Sequence, residues 1–131
     1  MTGKEGLFTA DDIISTYTRE QAIDDGVLVD VSEVAREAGI KYPVAVTQAV
    51  WSEVVEPDDK AKEHGESIQG RLWDVLWMLL AAIKAGMDGD TVRYYLIATK
   101  DGKQHKQELR AVCGPGDTME PVITIMMPDE D

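Results

Sequence analysis

The sequence predicts an α+β domain with a helical N-terminal half containing one short strand, then one long apolar helix, then a three-stranded antiparallel meander. Residues 67–86 repeat apolar side chains at three- and four-residue steps, which is the period of a helix. Residues 91–99 alternate between two faces as a strand does, and strand-like segments follow at 104–113 and 121–127. Because the helical signals come first, helices are expected on one face of an antiparallel sheet.

Short elements are predicted in the N-terminal half. Residues 18–21 have the spacing of a capping box and start a helix of about two turns. The apolar, β-branched run at 27–31 is typical of a short buried strand. A second helix follows over 33–38 and stops at Gly39. Ahead of these elements, the residues at 9–12 are typical of the start of a short helix.

Residues 43–46 have two interpretations. They form an extended segment that ends where Thr47 caps a helix, or they form the first turn of that helix with Pro43 at its first position. In both cases the helix continues to Glu56. Residues 57–66 are mostly charged or small and lack apolar periodicity, so they predict an exposed acidic loop.

The helix within residues 67–86 is the most apolar predicted element. Trp73 and Trp77 form a second ridge beside its main stripe, four residues apart. A helix this apolar requires cover on more than one side, and core positions are therefore expected for both tryptophans. The main stripe consists of Ile68, Leu72, Val75, Leu76, Leu79, Leu80 and Ile83.

Two turn signals separate the C-terminal strands. Asp101 and Gly102 are a hairpin dipeptide between the first two strands. Residues 114–117 fit a type II turn with Pro115 and Gly116 at its centre. The last strand is apolar on both faces, so we expect it to be central or covered on both sides.

Composition and charge indicate one domain, 1–131, with 1–16 and 128–131 as loose ends. The chain has 131 residues, of which 44% are hydrophobic and 29% charged, and its formal net charge is −12. This charge argues against direct binding to nucleic-acid phosphates. A single cysteine excludes an intramolecular disulfide. No signal-peptide pattern is present and the most apolar run, 72–83, is too short to cross a bilayer, so we expect a cytoplasmic protein.

Three groups of motifs look familiar. YTREQAIDDGVLVDV occupies 17–31 and similar residues continue to Trp51, GRLWDVL occupies 70–76, and AVCGPGD with EPVITIM lies within 111–126. With these motifs, which cover most of the chain, it resembles an uncharacterised family of small proteins carried by plasmids, phages and integrated elements. The resemblance implies an accessory protein of a mobile element, of the kind that counters host defence or regulates element transfer, and it implies no specific activity.

Cys113 is a candidate nucleophile. A reactive thiolate requires a base within hydrogen-bond reach. His105 lies eight residues away on the same predicted strand, at about 26 Å, and His64 lies in the predicted loop. The structural interpretation is a small buried apolar residue at the end of a strand.

Asp30 is a candidate catalytic residue because it interrupts an apolar strand. A buried carboxylate requires a partner, and Arg19, Arg36 and Arg71 are the candidate cations. Arg19 is the second candidate for catalysis. The structural interpretation is an Asp30 that points into solvent or forms a buried ion pair.

Candidate binding residues lie in two other places. Gly114, Gly116 and Asp117 belong to a turn whose backbone N–H groups suit an anion, although a hairpin turn explains the same residues. Asp58 and Asp59 are acids of the predicted loop that suit a basic partner. No metal-ligand or cofactor motif is present in the sequence, so neither group is expected.

The leading hypothesis is a non-enzymatic acidic binding protein of a mobile genetic element. Its partner would be a basic host protein, engaged in an anti-defence role or by imitation of nucleic acid. One alternative is an enzyme with a site near Asp30, Arg19 and the 114–117 turn. A second is a structural homodimer that covers the last strand and the long helix. No membrane partner is expected.

Overall fold

A computed structural model describes residues 17–87 and 89–130. The helix start predicted at 9–12 and the loose segment at 1–16 lie outside these ranges. The elements in chain order are α1 (Arg19–Asp24), β1 (Leu28–Asp30), α2 (Ser32–Ala38), β2 (Val44–Thr47), α3 (Gln48–Val50) continuing as a π-helix (Trp51–Val55), α4 (Asp59–Glu63), α5 (Ile68–Ala85), β3 (Thr91–Lys100), β4 (Lys103–Pro115) and β5 (Pro121–Met126).

The strands form one five-stranded mixed sheet in the order β1-β2-β5-β4-β3. Its neighbours are antiparallel except for β2 and β5, which are parallel. The predicted three-stranded antiparallel meander is therefore wrong. Two of the five strands come from the N-terminal half, and β2 joins the sheet beside a strand almost eighty residues later. A local sequence pattern contains no signal for this pairing, because the hydrogen bonds join two strands that are far apart in the chain.

Of the two structures predicted for residues 43–46, the extended segment is the one observed, as the strand β2. Val44 and Val46 in β2 lie opposite Ile123 and Ile125 in β5 and are fully buried. The hydroxyl of Thr47 then accepts a hydrogen bond from the N–H of Val50, 3.3 Å away, and so caps α3.

The central position of β5 explains why both of its faces are apolar. It lies between β2 and β4, as the prediction of a central strand required. Ile123 and Ile125 face the main core, while Val122 and Met126 on the other face are also buried, at 6% and 7% exposure. A homodimer is therefore not required to cover this strand.

The helix α5 packs on β3 and forms the centre of the core. Ser67 caps its first turn, and the tyrosine hydroxyl of Tyr94 donates to the carbonyl of Val75 at 3.0 Å. Trp73 and Trp77 are not core residues, so the expectation for them is wrong: their exposures are 38% and 52%. The rest of the described structure covers the side of α5 that lies opposite these tryptophans. Within the described residues, no helix has the length and hydropathy needed to cross a membrane.

The segment predicted as an acidic loop at 57–66 contains the helix α4. Asp58 caps it by accepting a hydrogen bond from the N–H of Ala61 at 2.8 Å, and Ala61 is fully buried. Sequence periodicity did not reveal α4, because a five-residue helix with one buried position has no repeating apolar stripe.

Candidate functional site

Arg19 and Asp117, two of the predicted site residues, meet on the face of the sheet opposite α5. Both carboxylate oxygens of Asp117 accept backbone N–H groups of α1, from Arg19 at 2.9 Å and from Glu20 at 3.1 Å. The guanidinium of Arg19 donates to the hydroxyl of Thr124 at 2.7 Å and to the carbonyl of Ile123 at 2.8 Å. These four hydrogen bonds attach α1 to β5 and to the turn before it.

Burial of Arg19 lowers the pKa of its guanidinium, while Asp30 and Asp117 act in the opposite direction. Asp30 itself is exposed, and its carboxylate accepts hydrogen bonds from the N–H of Ser32 at 3.1 Å and from its hydroxyl at 2.6 Å. Asp30 therefore shapes the turn into α2 rather than forming a buried ion pair. The charge of Asp30 acts to raise the pKa of Arg19. Neither Arg36 nor Arg71 is hydrogen-bonded to Asp30.

The turn after β4 differs from the predicted type II turn. Gly116 has no positive φ, and the positive value belongs to Met119, at 70°. The N–H of Gly116 donates to the carbonyl of Glu120 at 2.7 Å. A Cβ on Gly116 would lie 2.8 Å from Cγ1 of Val122, whereas one on Gly114 would contact nothing within 4 Å. Gly116 is thus required for space against β5, which a local turn rule does not include.

Cys113 lies in β4 and packs partly buried against the main core. It lines an apolar cavity of about 70 Å³ together with Leu79, Ile83 and Val92. His105 is on the same strand, eight residues away, as the sequence indicated. The surroundings of this thiol are apolar.

Asp58 and its neighbour Asp59 lie at the start of α4, close to the β3–β4 hairpin. The second carboxylate oxygen of Asp58 accepts the N–H of Asp101 at 2.9 Å. That N–H, together with the N–H of Ala61, holds the pKa of Asp58 below its usual value. Asp59 is exposed in the first turn of α4, so these two acids differ: one ties α4 to the hairpin and one faces solvent.

Arg71 is a buried charged residue of α5, 5% exposed, that sequence analysis considered only as a partner for Asp30. Its guanidinium donates to the Glu66 carboxylate at 2.8 Å, to the carbonyl of Val54 at 2.9 Å and to the carbonyl of Thr99 at 2.6 Å. Hydrogen bonds from Thr99 and from Arg71 hold the pKa of Glu66 below its usual value. Arg71 therefore joins the π-helix, the preceding loop and the end of β3.

An open cleft of about 720 Å³ lies beside α1, at the end of the sheet formed by β1, β2 and β5. Leu28 and Met126 give it apolar lining, and Asp25 and Glu130 supply carboxylates. Glu130 is held there by the hydroxyl of Thr47 at 2.7 Å and by the N–H of Met127 at 2.8 Å, so this part of the predicted loose end is bound to the domain.

Two segments that are distant in sequence, 17–30 and 116–130, meet at this cleft. Together they contain eight carboxylates and one arginine, Arg19, whose guanidinium is bonded to β5. These two segments therefore carry a net charge of −7, more than half of the −12 of the whole chain. We call the cleft and these carboxylates the acidic cleft; they are Glu20, Asp24, Asp25, Asp30, Asp117, Glu120, Asp129 and Glu130.

A comparison with models of protein families shows which family the chain belongs to. The model of the family described as "Family of unknown function (DUF6573)" matches residues 4–131. The chain belongs to this family. No curated protein and no solved structure matches it. All the residues discussed above lie within the matched range, so the acidic cleft and the Arg71 cluster are parts of the DUF6573 domain itself.

A second feature of this DUF6573 domain, the pair Trp73 and Trp77, was expected in the core and lies on the surface. The rings of Trp73 and Trp77 are stacked on the solvent side of α5, with centroids 6.0 Å apart and planes at 14°. Their position beside, rather than within, the stripe of Leu72, Val75, Leu76 and Leu79 was the available signal. A helix that covers one sheet face buries one stripe, and a second ridge faces outward unless another layer is present.

Proposed function

We propose that the protein is a non-enzymatic binding protein for a basic protein partner, and that the acidic cleft is its contact surface. The observation that carries the proposal is an open, partly apolar cleft lined by Asp25 and Glu130, at which two segments that together contain eight carboxylates, 17–30 and 116–130, meet. One arginine lies among them, and its donors are already engaged by Thr124 and Ile123. Arg110 also reaches this surface, where its guanidinium donates to the carbonyl of Glu130 and to the sulfur of Met126, and the carboxylates outnumber the two arginines.

The combination of apolar lining and carboxylates suits lysine and arginine side chains. Such side chains bury an aliphatic stem and keep the charged end near an acceptor. Leu28 and Met126 would contact the stem, while Asp25 and Glu130 would bind the cation. Exposed ion pairs contribute about 0.2–1 kcal/mol each, so affinity for a basic segment requires several of them and decreases with salt.

The biological setting belongs to the same proposal. The resemblance to proteins of plasmids, phages and integrated elements motivates a role in the cytoplasm of a host, with a basic host protein as partner. Host nucleases and defence complexes bind nucleic acid through basic surfaces, and a negative surface of fixed shape competes for such surfaces. An anti-defence protein of the nucleic-acid-mimic type is the form of the proposal with the most specific consequences.

A basic peptide probe tests the contact surface directly. Fluorescence anisotropy of a labelled ten-residue Lys/Arg-rich peptide is measured against the wild type at low and at high salt. The double substitution Asp24→Asn with Asp25→Asn removes the carboxylate of Asp25, which lines the cleft, and that of Asp24, its exposed neighbour. The matched control, Asp59→Asn with Glu63→Gln, removes two exposed carboxylates from α4 and gives the same net charge.

The cleft variant is expected to bind the probe about two- to thirtyfold more weakly at low salt, since two ion pairs are lost. The control is expected to remain within about twofold of the wild type. Equal weakening by both variants would mean that only net charge matters, and this result would contradict a defined contact surface. A pull-down from host lysate with the same three proteins then asks whether a natural partner shows the same order and is released by salt.

A further inference from the structure

The outer edge of β3 has unpaired backbone groups in the described part of the chain. β3 is the last strand of the sheet and pairs with β4 along its whole length. The N–H of Cys113 donates to the carbonyl of Asp90, which fixes the phase of the ladder. Odd-numbered residues of β3 therefore direct their N–H and C=O groups away from β4. These residues are Thr91, Arg93, Tyr95, Ile97 and Thr99.

Side chains close one end of this edge. The outward carbonyl of Thr99 accepts a hydrogen bond from Arg71 at 2.6 Å, and the Glu66 carboxylate accepts hydrogen bonds from Thr99. These two side chains occupy the positions that the backbone groups of a neighbouring strand would take. Among the described residues, nothing similar covers the edge from Thr91 to Ile97, so its outward N–H and C=O groups can pair with an added strand.

Two grooves follow this open edge, between α5 and β3. One of about 300 Å³ is lined by Gly86 and Thr91, and one of about 420 Å³ is lined by Met78, Tyr95 and Ile97. The last three side chains are 39%, 45% and 57% exposed. Between residues 91 and 97 the strand has no proline and no bulge, which are usual means of blocking strand addition. The edge thus has room and backbone partners for an extended segment of about seven residues.

The β3–β4 hairpin is a positive segment of an acidic chain. Residues 89–115 contain five basic and three acidic residues, and so have a net charge of +2, whereas the whole chain has a net charge of −12. One of the three acids, Glu108, is already paired with Arg93 at 3.1 Å. Two such hairpins repel each other, whereas an acidic segment is attracted to this one. Charge complementarity therefore favours an acidic partner over a second copy of the chain.

Lys106 is placed to bind a carboxylate at the open edge. Its ammonium lies 4.3 Å from the centroid of the Tyr95 ring, so it lies over β3 although Lys106 belongs to β4. An added strand would lie about 4.8 Å from β3, which is within reach of a glutamate side chain. On the α5 side of the edge, the groove is lined by Asp74 and Met78. Carboxylates of the added strand therefore fit the Lys106 face, and its apolar side chains fit the face of Met78.

We propose that the open edge of β3 binds an extended segment of an acidic protein partner as a sixth strand of the sheet. The segment carries carboxylates at alternate positions, on the face of Lys106 and Tyr95, and apolar side chains between them that pack against Met78. Backbone hydrogen bonds along Thr91–Ile97 supply affinity, and the alternating side chains supply specificity. β3 and β1 are opposite edges of the sheet, and this site does not depend on the function proposed for the acidic cleft.

Synthetic peptides test the chemistry of the partner. The probe is a labelled nine-residue peptide in which glutamate alternates with valine; one matched peptide has glutamine in place of glutamate, and another has proline in place of a central valine. Anisotropy is measured with the full chain at about 0.15 M salt, where a screening length of about 8 Å limits repulsion by distant carboxylates. The glutamate peptide is expected to bind about fivefold or more tightly than either matched peptide.

Each peptide has an outcome that overturns part of the proposal. A glutamine peptide that binds as tightly as the glutamate peptide would overturn the acidic character of the partner. A proline peptide that does so would overturn strand addition, because proline lacks the N–H that a ladder requires. No binding of the glutamate peptide at protein concentrations up to about 1 mM would overturn the site as a whole.

Amide hydrogen exchange locates the bound peptide. In the free protein the N–H groups of Arg93, Tyr95 and Ile97 face outward and are expected to exchange fast, whereas those of Tyr94 and Leu96 donate to β4. With the glutamate peptide at about ten times its dissociation constant, exchange of the three outward amides is expected to slow about tenfold. Unchanged exchange of these three amides in the bound protein would refute pairing at this edge.

A charge reversal tests Lys106. Lys106→Glu is expected to weaken binding of the glutamate peptide about two- to thirtyfold, since an ion pair is replaced by a repulsion. Lys41→Glu is the matched control, because Lys41 is exposed and lies outside the β3–β4 hairpin, and it is expected to bind like the wild type. Equal weakening by both variants would mean that only net charge matters, and this result would contradict the assigned face.

Discussion

Replacing Arg71 by methionine is expected to destabilise the domain by about 3 kcal/mol. The substitution keeps an apolar stem of similar length within α5 but removes donors to three acceptors, on Glu66, Val54 and Thr99. The carbonyl of Val54 is buried, so its loss of a charged donor costs about 1–3 kcal/mol. The carbonyl of Thr99 is partly buried and contributes less.

Glu66 limits the total cost. Its side chain retains 28% exposure, so water replaces part of the lost ion pair. The total loss in free energy of unfolding for Arg71→Met is therefore near the lower end of the roughly 3–5 kcal/mol seen when one member of a fully buried ion pair is removed. For a domain of this size, a loss of about 3 kcal/mol lowers the melting temperature by about 10 °C.

Urea denaturation followed by tryptophan fluorescence measures this effect. Arg36→Met is the matched control, because Arg36 is exposed on α2, and we expect it to cost less than about 1 kcal/mol. Arg71→Lys retains the charge but not the planar fork, so it is expected to lie between the wild type and Arg71→Met. If Arg71→Met unfolds within about 1 kcal/mol of the wild type, the guanidinium does not hold the π-helix, the loop and β3 together.

Two further predictions concern the turn after β4 and the hairpin contact of Asp58. Gly116→Ala is expected to cost about 1–3 kcal/mol in urea denaturation, because its Cβ would lie 2.8 Å from Val122, while Gly114→Ala has no such contact and should unfold like the wild type. Similar costs for both would show that the space beside Val122 is not limiting. The pKa of Asp58 is lowered in the folded state, so its contribution to stability is present above about pH 4 and is lost as the pH falls further. In thermal melts, Asp58→Asn should therefore lose less stability than the wild type between about pH 4 and pH 2. The same fall in melting temperature for both proteins would contradict a stabilising role of the Asp58 carboxylate.

The local elements were predictable because their causes are local. Thr18 and Gln21 form both halves of a capping box, and Ser67 caps α5 as its position before the apolar stripe indicated. Asp101 and Gly102 both have positive φ, at 54° and 79°, as the hairpin dipeptide between β3 and β4 requires. Each of these features depends on residues within about four positions of one another.

The candidate site was predictable only as separate residues. Arg19, Asp30 and Asp117 were named from the sequence, and the structure brings Arg19 and Asp117 into contact across 98 positions. That Asp25 and Glu130 line one cleft gave no signal in the sequence, because each is one acid among 25 in the chain. Proximity between carboxylates is a property of the fold and not of composition.

The sequence by itself determined the α+β class, the extent of the long helix, the β3–β4 hairpin and the acidic balance, since apolar period, caps and charge are read within one segment. Tertiary structure alone decided the parallel pairing of β2 with β5 and the exposure of Trp73 and Trp77. It also decided which acceptors Arg71 reaches and where the acids gather. The physical reason is that these features depend on long-range contacts of small individual energy, and their sum is resolved only when the whole chain packs.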